Sequence, residues 1–148
     1  MIAWRLCRRR YAALDGEGAR LVGGRWNPRG VAAVYLAESI SLAALECLVH
    51  FQPATAPTDY VAIRVTFDAS LLETPARLPK TWRDDPPSAS QSFGAKWLAE
   101  ARTAVLAVPS VVVPLEKNFV LNPAHPDFAT IQVDAPLDFR FDERLLIP

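Results

Sequence analysis

Residues 23–50, GGRWNPRGVAAVYLAESISLAALECLVH, decide the fold of this 148-residue chain. The Gly-rich start of this stretch predicts a turn. The short apolar run from Val31 to Leu36 predicts a buried strand. Ser39 is a good N-cap, because its hydroxyl can accept a hydrogen bond from a free N–H group of the first helical turn. The stretch therefore reads as turn, strand and helix in immediate succession.

Apolar residues cover most of the helix that Ser39 would open. The helix should run to about Phe51 and be stopped by Pro53, because proline cannot continue a helix. Its apolar positions are Ile40, Ala44, Leu45, Leu48 and Phe51, and the remaining narrow stripe holds Ser39, Ala43, Glu46 and His50. We therefore expect Glu46 to lie on the side of the helix that the core does not use.

Composition favours one globular domain spanning residues 1–148. Hydrophobic residues make up 51% of the chain, enough for a core of ordinary size. Lys plus Arg equals Asp plus Glu at 16 each, so net charge gives no support for nucleic-acid or membrane binding. The two cysteines, Cys7 and Cys47, are too few for a disulfide framework and lack metal-ligand spacing. Without a signal sequence or a long apolar run, we expect a cytoplasmic protein with reduced thiols.

Further strand patterns surround the central stretch. In Ile2 to Cys7 the larger apolar residues Ile2, Trp4 and Leu6 alternate, which predicts a half-buried strand. The chain should then stay loop-like through Gly24, because residues 15–18 have strong turn chemistry. Residues 68–87 are expected to be irregular, with turns or a short helix, and residues 88–103 to form a helix. Other predicted strands are 60–67, 105–108, 111–113, 119–121, 131–133 and 137–141.

Three residues of the central stretch could carry chemistry. Arg25 lies in a Gly-Gly-Arg turn, where glycines let a phosphate approach the backbone and guanidinium can bind two of its oxygens. The turn is neither a Walker loop nor a dinucleotide fingerprint. Tyr35 at the end of the strand and Glu46 on the helix each have an ordinary structural reading as well. Arg8, Arg9 and Arg10 form a charge run whose default reading is a solvated strand end.

The other candidate groups give weaker signals. His50 and His125 lack the clustered carboxylates or thiols of a metal site, so no metal is expected. Ser110 lacks the Gly-x-Ser-x-Gly elbow of a hydrolase nucleophile, although its hydroxyl could donate to a ligand. The residues alone therefore indicate an α+β domain with a phosphate or nucleotide pocket.

Five blocks of the sequence together resemble the RES-domain family. They are residues 23–27 (GGRWN), 34–39 (VYLAES), 44–46 (ALE), 108–110 (VPS) and 121–128 (LNPAHPDF), in the family's order. The family is named for an Arg, a Glu and a Ser, which correspond here to Arg25, Glu46 and Ser110. No substitution occurs at these three positions.

The resemblance implies a fold similar to ADP-ribosyltransferases, an α+β fold with two facing β-sheets and flanking helices. It implies the toxin of a bacterial type II toxin–antitoxin pair that uses NAD as substrate and breaks the nicotinamide–ribose bond. Water, phosphate or a protein side chain would accept the ADP-ribose.

The implied partner is an Xre-type helix-turn-helix antitoxin that covers the active site. The resemblance is also compatible with a homodimer of this chain within the toxin–antitoxin complex.

The resemblance also suggests roles for individual residues. Glu46 would stabilise positive charge on the ribose, as a carboxylate does in glycoside hydrolysis. Arg25 would bind the pyrophosphate or ribose, and Tyr35 would stack on the nicotinamide ring, so these two are candidate catalytic residues as well. Further candidate NAD-binding residues are Ser110, Asn122, Gly24, Trp26 and Arg5.

Two other functions remain open at this point. A ribonuclease-type toxin would need an acid and a base around a phosphate, for which His50, His125 and the Arg8–Arg10 run are candidates. A non-catalytic module could instead use residues 23–27 to hold a nucleotide or a protein partner.

Overall fold

The computed structural model describes residues 1–51 and 57–146. Its strands are β1 (Ile2–Arg8), β2 (Val34–Ala37), β3 (Tyr60–Thr66), β4 (Leu72–Glu73), β5 (Val105–Pro109), β6 (Lys117–Leu121), β7 (Gln132–Val133) and β8 (Leu137–Phe139). Its α-helices are α1 (Glu17–Val22), α2 (Ile40–Leu48) and α3 (Ser88–Glu100). Short 3-10 helices occupy Arg9–Tyr11, Ala69–Leu71, Pro126–Thr130 and Glu143–Leu146.

The strands hydrogen-bond into one curled sheet. Its order is β4-β5-β6-β2-β1-β3-β7, and β8 also pairs with β3; the β4–β5 pair is parallel and the other pairs are antiparallel. Phe67 directly follows β3 and Phe119 lies on β6, yet their ring centroids are 5.5 Å apart. Three strand spacings of about 4.8 Å would separate β3 from β6 in a flat sheet, so the sheet must curl until its two halves face each other. The expected α+β fold with facing β-structure and flanking helices is confirmed, with continuous pairing between the halves.

The two faces of the sheet bury different clusters. The inner face holds the main core, which includes Val34, Ile63, Val65, Val105 and Leu121, each at most 1% exposed. On the outer face α3 packs over β5 and β6 through Trp97 and Leu98. Helix α2 packs over β1 and β3 at the other side of that face, through Leu42 and Ala43. A gap therefore remains between the two helices, above β1, β2 and β6.

Two expectations about the backbone were wrong. Residues 17–22 form helix α1 within the predicted loop; Asp15 accepts a hydrogen bond from the N–H of Glu17 at 3.0 Å, and Glu17 pairs with Arg20 one turn later. Residues 111–113 do not form a strand, because the N–H groups of Val112 and Val113 both donate to the hydroxyl of Ser110. A strand would need those N–H groups for its ladder.

Burial on β1 and α2 also differs in detail from the sequence pattern. Ile2 is 47% exposed, whereas Ala3 is fully buried in the inner core. On α2, Leu45 is 41% exposed and Ala43 only 5%, so the expected stripe is shifted. Ser39 does cap α2, accepting from the Leu42 N–H at 3.0 Å. The predicted helix stop at Pro53 and the turn-rich start of the following connection lie outside the described residues.

Candidate active site

A cleft of about 600 Å³ opens on the outer face of the sheet between α2 and the Gly-rich turn at residues 23–26. Its floor consists of side chains on β1, β2 and β6 that share this face, since Trp4 is paired with Ala37 and Ala37 with Asn118. Residues lining it are Trp4, Leu6, Arg8, Ala19, Gly23, Gly24, Arg25, Trp26, Tyr35, Leu36, Ala37, Ala43, Glu46, Cys47, His50, Phe51, Pro57, Tyr60, Pro109, Val111 and Asn118. The structure thus brings Arg25, Tyr35 and Glu46 to one cleft.

Glu46 is held at one oxygen by two donors from distant parts of the chain. Its Oε1 accepts from the hydroxyl of Ser110 and from Nδ2 of Asn118, each at 2.6 Å. Its Oε2 has no hydrogen bond within the described part of the chain. The carboxylate is therefore fixed through one oxygen, while the other remains available to a ligand in the cleft.

The direction of the Ser110 hydrogen bond follows from its neighbours. The side chain is fully buried, and its oxygen accepts from the N–H groups of Val112 at 3.0 Å and Val113 at 2.9 Å. A hydroxyl has two lone pairs and one proton, so filling both lone pairs directs the proton to Glu46. Ser110 does not line the cleft itself. It acts on the cleft through Glu46, which differs from the direct contact with NAD that the sequence suggested.

Arg25 is anchored from the opposite side of the cleft. Its Nη1 donates to the carbonyl oxygens of Trp82 at 3.1 Å and Asp84 at 3.0 Å. These contacts use one of its nitrogens, and a guanidinium group has five N–H donors in a planar fork. The remaining edge can still bind an anion.

Tyr35 and Asn27 form a closed cluster beneath the Gly-rich turn. The Tyr35 hydroxyl accepts from the Trp26 N–H at 2.9 Å and donates to Asn27 Oδ1 at 2.6 Å. Asn27 Nδ2 in turn donates to the carbonyl oxygens of Ala19, Val31 and Pro28. Burial raises the pKa of Tyr35 well above its ordinary value near 10, so the phenol stays protonated and remains a donor.

Gly24 and Trp26 shape the turn. A Cβ on Gly24 would lie 2.6 Å from the Tyr35 hydroxyl oxygen, so only glycine lets the turn close on that ring. Trp26 is 3% exposed and stacks on Trp82 at 6.0 Å between ring centroids. Helix α3 fixes the turn from outside, since Gln91 donates to the Gly24 carbonyl and a Cβ at Gly94 would lie 1.8 Å from the Trp26 oxygen.

The other end of the cleft is formed by Arg8, His50 and Tyr60 with the neighbouring Cys47. Burial, reinforced by the nearby Cys7 and Glu46, raises the pKa of Cys47 to about 12. This thiol is therefore protonated at neutral pH and is a poor nucleophile. Arg8 supplies a second cation to the cleft.

Like Ser110, three other residues that the sequence suggested are not among the cleft residues: Arg5, Asn122 and His125. Arg5 lies between Ala3 and Cys7 on the inner side of β1 and donates to the Tyr11 carbonyl at 3.2 Å. Asn122 is 2% exposed, donates to the Leu98 carbonyl and accepts from the Ala124 N–H. His125 caps the 3-10 helix Pro126–Thr130 by accepting from the Asp127 N–H at 3.0 Å.

These positions change the expectations. We do not retain Arg5 and Asn122 as NAD contacts, because neither residue lines the cleft. His50 lines the cleft and His125 does not, so the structure does not bring this candidate acid–base pair together in the cleft.

Asn118 lines the cleft and Asn27 lies buried beneath the Gly-rich turn, and sequence reasoning gave neither residue an individual role. Asn27 could have been found, since it closes the Gly-rich turn and asparagine is typical of such positions. Asn118 carried no local signal, because its role depends on the pairing of β6 with β2. Within residues 1–51 and 57–146, no group of three or more His, Cys, Asp or Glu could hold a metal ion, and no helix is long and apolar enough to cross a membrane.

Curated relatives match this chain over nearly its whole length. It is 42% identical to "Toxin Res" of Yersinia enterocolitica, covering 98% of this chain and 99% of that protein. It is 40% identical to the "Prs ADP-ribosylating toxin" of a Sphingobium species, covering 97% of this chain and 95% of that protein. "Toxin Res" of Pseudomonas putida is 36% identical, with coverage of 98% and 99%.

Fold comparison agrees with these matches. A chain in the crystal structure of the M. tuberculosis MbcT–MbcA toxin–antitoxin complex superposes with a TM-score of 0.73 at 24% identity, covering 94% of this chain and 84% of that one. The family model described as the RES domain matches residues 2–142. The chain therefore belongs to the RES-domain family.

Proposed function

We propose that this protein is a cytoplasmic toxin of a type II toxin–antitoxin pair that cleaves the nicotinamide–ribose bond of NAD and transfers ADP-ribose to a protein side chain, water or phosphate. The observation that carries the proposal is the Glu46 carboxylate, held by Ser110 and Asn118 in a cleft that Arg25 and Tyr35 also line. The similarity to a relative named as an ADP-ribosylating toxin supports the reaction class.

The cleft has the size and chemistry that a dinucleotide requires. About 600 Å³ lies within the ~300–1,000 Å³ typical of small-molecule sites. Aromatic side chains of Trp4, Tyr35 and Tyr60 offer flat surfaces for rings, and Arg25 and Arg8 offer positive charge for phosphates. NAD combines two ring systems with a pyrophosphate, which fits this distribution.

Glu46 would act on the ribose as the bond breaks. Nicotinamide leaves with the electron pair of the C–N bond and becomes neutral, while positive charge develops on the ribose carbon and ring oxygen. The carboxylate stabilises this oxocarbenium-like centre through its unbonded Oε2. A lone pair of the acceptor then forms the new bond to the ribose carbon, and the acceptor loses its proton. Preorganised groups of this kind contribute ~10²–10³ in rate.

Arg25 and Tyr35 would hold the substrate in place for this step. The carbonyl oxygens of Trp82 and Asp84 fix one side of the Arg25 guanidinium, which leaves the other side for the pyrophosphate or the ribose. The Tyr35 hydroxyl is occupied by Asn27 and Trp26, so its ring face, rather than its oxygen, would contact nicotinamide. This separates a binding role for the ring from a structural role for the hydroxyl.

An antitoxin of the Xre type is the proposed partner, and it would cover the cleft. Apolar side chains are exposed on helices beside the cleft, with Leu21 and Val22 of α1 at 55% and 71% and Leu45 and Val49 near α2 at 41% and 58%. Exposed apolar residues grouped at a site are typical of protein interfaces. The relation of the fold to a chain from a toxin–antitoxin complex supports the same partner class.

The direct test is incubation of the purified protein with NAD labelled in the adenine ring, with and without phosphate and with cell lysate. We expect release of free nicotinamide, measured by chromatography. Label in ADP-ribose would identify water as acceptor, label in a phosphorylated ADP-ribose would identify phosphate, and label in a protein band would identify a side chain. Saturable NAD binding without nicotinamide release would contradict the proposal and favour a binding module, and RNA decay with intact NAD would favour a ribonuclease.

A further inference from the structure

Asn118 is a polar side chain in an otherwise apolar part of the sheet. It lies on β6, paired with Ala37 of β2 and Val108 of β5, so these three side chains share the outer face. Nothing in the packing of that face calls for an amide. Its Nδ2 reaches Glu46 Oε1 at 2.6 Å, within the short range of hydrogen bonds to a charged acceptor.

The other end of the same amide is left unsatisfied. Asn118 Oδ1 is buried and has no hydrogen-bond partner within the described residues. Most buried polar atoms in folded proteins are paired, and an unpaired one is destabilising. The unpaired acceptor is therefore a local cost to stability at this position.

The orientation of the amide follows from the carboxylate. If the amide were reversed, Oδ1 would take the place of Nδ2 at 2.6 Å from Glu46 Oε1, and two acceptors would face each other. Glu46 therefore requires the observed orientation, even though it leaves Oδ1 without a donor. The unpaired Asn118 Oδ1 lowers stability locally, while the orientation of Glu46 is improved. Such a local loss of stability is expected at functional sites.

We propose that Asn118 is a positioning residue for Glu46 in NAD cleavage, an inference that rests on the proposed function. Ser110 approaches Oε1 from the loop after β5, and Asn118 approaches the same oxygen from β6. One donor alone would leave the carboxylate free to swing about that hydrogen bond. Two donors from different elements fix its plane, so that Oε2 points at the reacting ribose before the substrate arrives.

The test uses two near-isosteric substitutions of the full chain. Asn118→Leu removes the donor together with the unsatisfied acceptor, and Asn118→Asp puts an acceptor opposite Glu46. For Asn118→Leu we expect kcat for nicotinamide release to fall by about 10- to 100-fold, with KM within about threefold of the parent. Its urea midpoint should equal or exceed that of the parent. Asn118→Asp should be slower than Asn118→Leu at neutral pH.

Gln132→Leu is the matched control, since it removes an exposed amide on β7 outside the cleft and should leave kcat at the parent value. A kcat for Asn118→Leu within about twofold of the parent would overturn the inference. A loss of kcat in proportion to a lowered urea midpoint would also overturn it, because it would show a structural role. If the parent releases no nicotinamide, the proposed function fails together with this inference. If the parent is active and Asn118→Leu has the same kcat, only the positioning role of Asn118 fails.

Discussion

Two asparagine-centred clusters lie beside one cleft, and their polar groups are satisfied to different degrees. Asn27 is fully buried; its Nδ2 donates to three backbone carbonyls and its Oδ1 accepts from Tyr35. Asn118 uses one side of its amide on Glu46 and leaves the other without a partner in the described chain. The polar side-chain atoms of the first cluster are all hydrogen-bonded, whereas the second cluster keeps an unpaired acceptor.

The difference separates architecture from chemistry. Closed buried networks rigidify a fold, because every polar group removed from water is paired. The Asn27–Tyr35 cluster does this for the Gly-rich turn that presents Arg25. The Glu46 cluster instead keeps Oε2 without a protein partner in the described residues, which leaves an acceptor for a substrate. Substitutions in the first cluster should therefore reduce stability, and substitutions in the second should reduce rate.

Glu46→Gln should give the largest effect. It removes the charge while keeping the shape, so nicotinamide release should fall by at least ~10²–10³, and toxicity should disappear. The free energy of unfolding should change by only about 0.5 kcal/mol. Glu38→Gln is the matched control, because Glu38 is exposed and lies outside the cleft. Parent-like NAD consumption by Glu46→Gln would remove Glu46 from the mechanism.

Ser110→Ala should lower kcat for nicotinamide release by about 10- to 100-fold, because Glu46 Oε1 loses one of its two hydrogen-bond donors. The N–H groups of Val112 and Val113 lose their acceptor too, so stability should fall by about 1–2 kcal/mol. Steady-state kinetics and urea unfolding measure the two effects. Ser110→Thr keeps the hydroxyl and should retain more activity; equal losses in both variants would contradict the role of the hydroxyl.

Arg25→Lys should raise KM for NAD by about 10-fold. A planar guanidinium can bind the Trp82 and Asp84 carbonyls and a phosphate at the same time, whereas an ammonium group lacks this planar set of donors. NAD affinity measured by calorimetry checks this expectation. Arg29→Lys is the control, since Arg29 is exposed and is not a cleft residue. Unchanged affinity in Arg25→Lys would show that the guanidinium does not bind the substrate.

Tyr35→Phe should act mainly on stability. Loss of the hydroxyl leaves the Trp26 N–H and Asn27 Oδ1 unpaired, which should cost about 1–3 kcal/mol in urea unfolding. The aromatic ring stays, so kcat should remain within about threefold of the parent. A large loss of kcat with unchanged stability would reverse the assignment of the two clusters.

The smallest expected effect is a dependence of the free energy of unfolding on pH, which is absent at neutral pH. The pKa of Tyr35 is raised by burial in the folded protein, whereas in the unfolded chain it lies near 10. Its contribution to stability is therefore complete below pH 10 and declines as pH rises above 10, by at most ~1.4 kcal/mol per pH unit. Comparing urea unfolding of the parent and Tyr35→Phe at pH 9 and pH 11 isolates this group. An equally steep decline in both proteins would contradict it.

Local sequence patterns predicted the elements that depend on near neighbours. The Ser39 cap, the strand at residues 60–66 and the helix from Ser88 follow from capping, β-branched content and helical spacing. Helix α1 was missed, because a six-residue helix that follows Gly16 and contains Gly18 has too little apolar periodicity to be recognised. The strand expected at 111–113 was wrong, because a buried serine hydroxyl took its N–H groups, and sequence reasoning had assigned that hydroxyl to a ligand.

The sequence by itself determined which residues could do chemistry. The blocks around Arg25, Tyr35, Glu46 and Ser110 identified the family, and the turn and the capped helix fixed where those residues lie on local elements. These features depend on residue spacing and side-chain type, and both can be read directly from the sequence.

Only the tertiary structure decided which of those residues meet. The pairing of β6 with β2 and β5 brings Asn118 to Glu46 across 72 positions of sequence. The inward side of β1 and the buried loop after β6 keep Arg5 and Asn122 out of the cleft. The physical reason is that strand register and sheet curl are set by the packing of the whole core. A side chain's partner is then fixed by long-range pairing, which no short stretch of sequence contains.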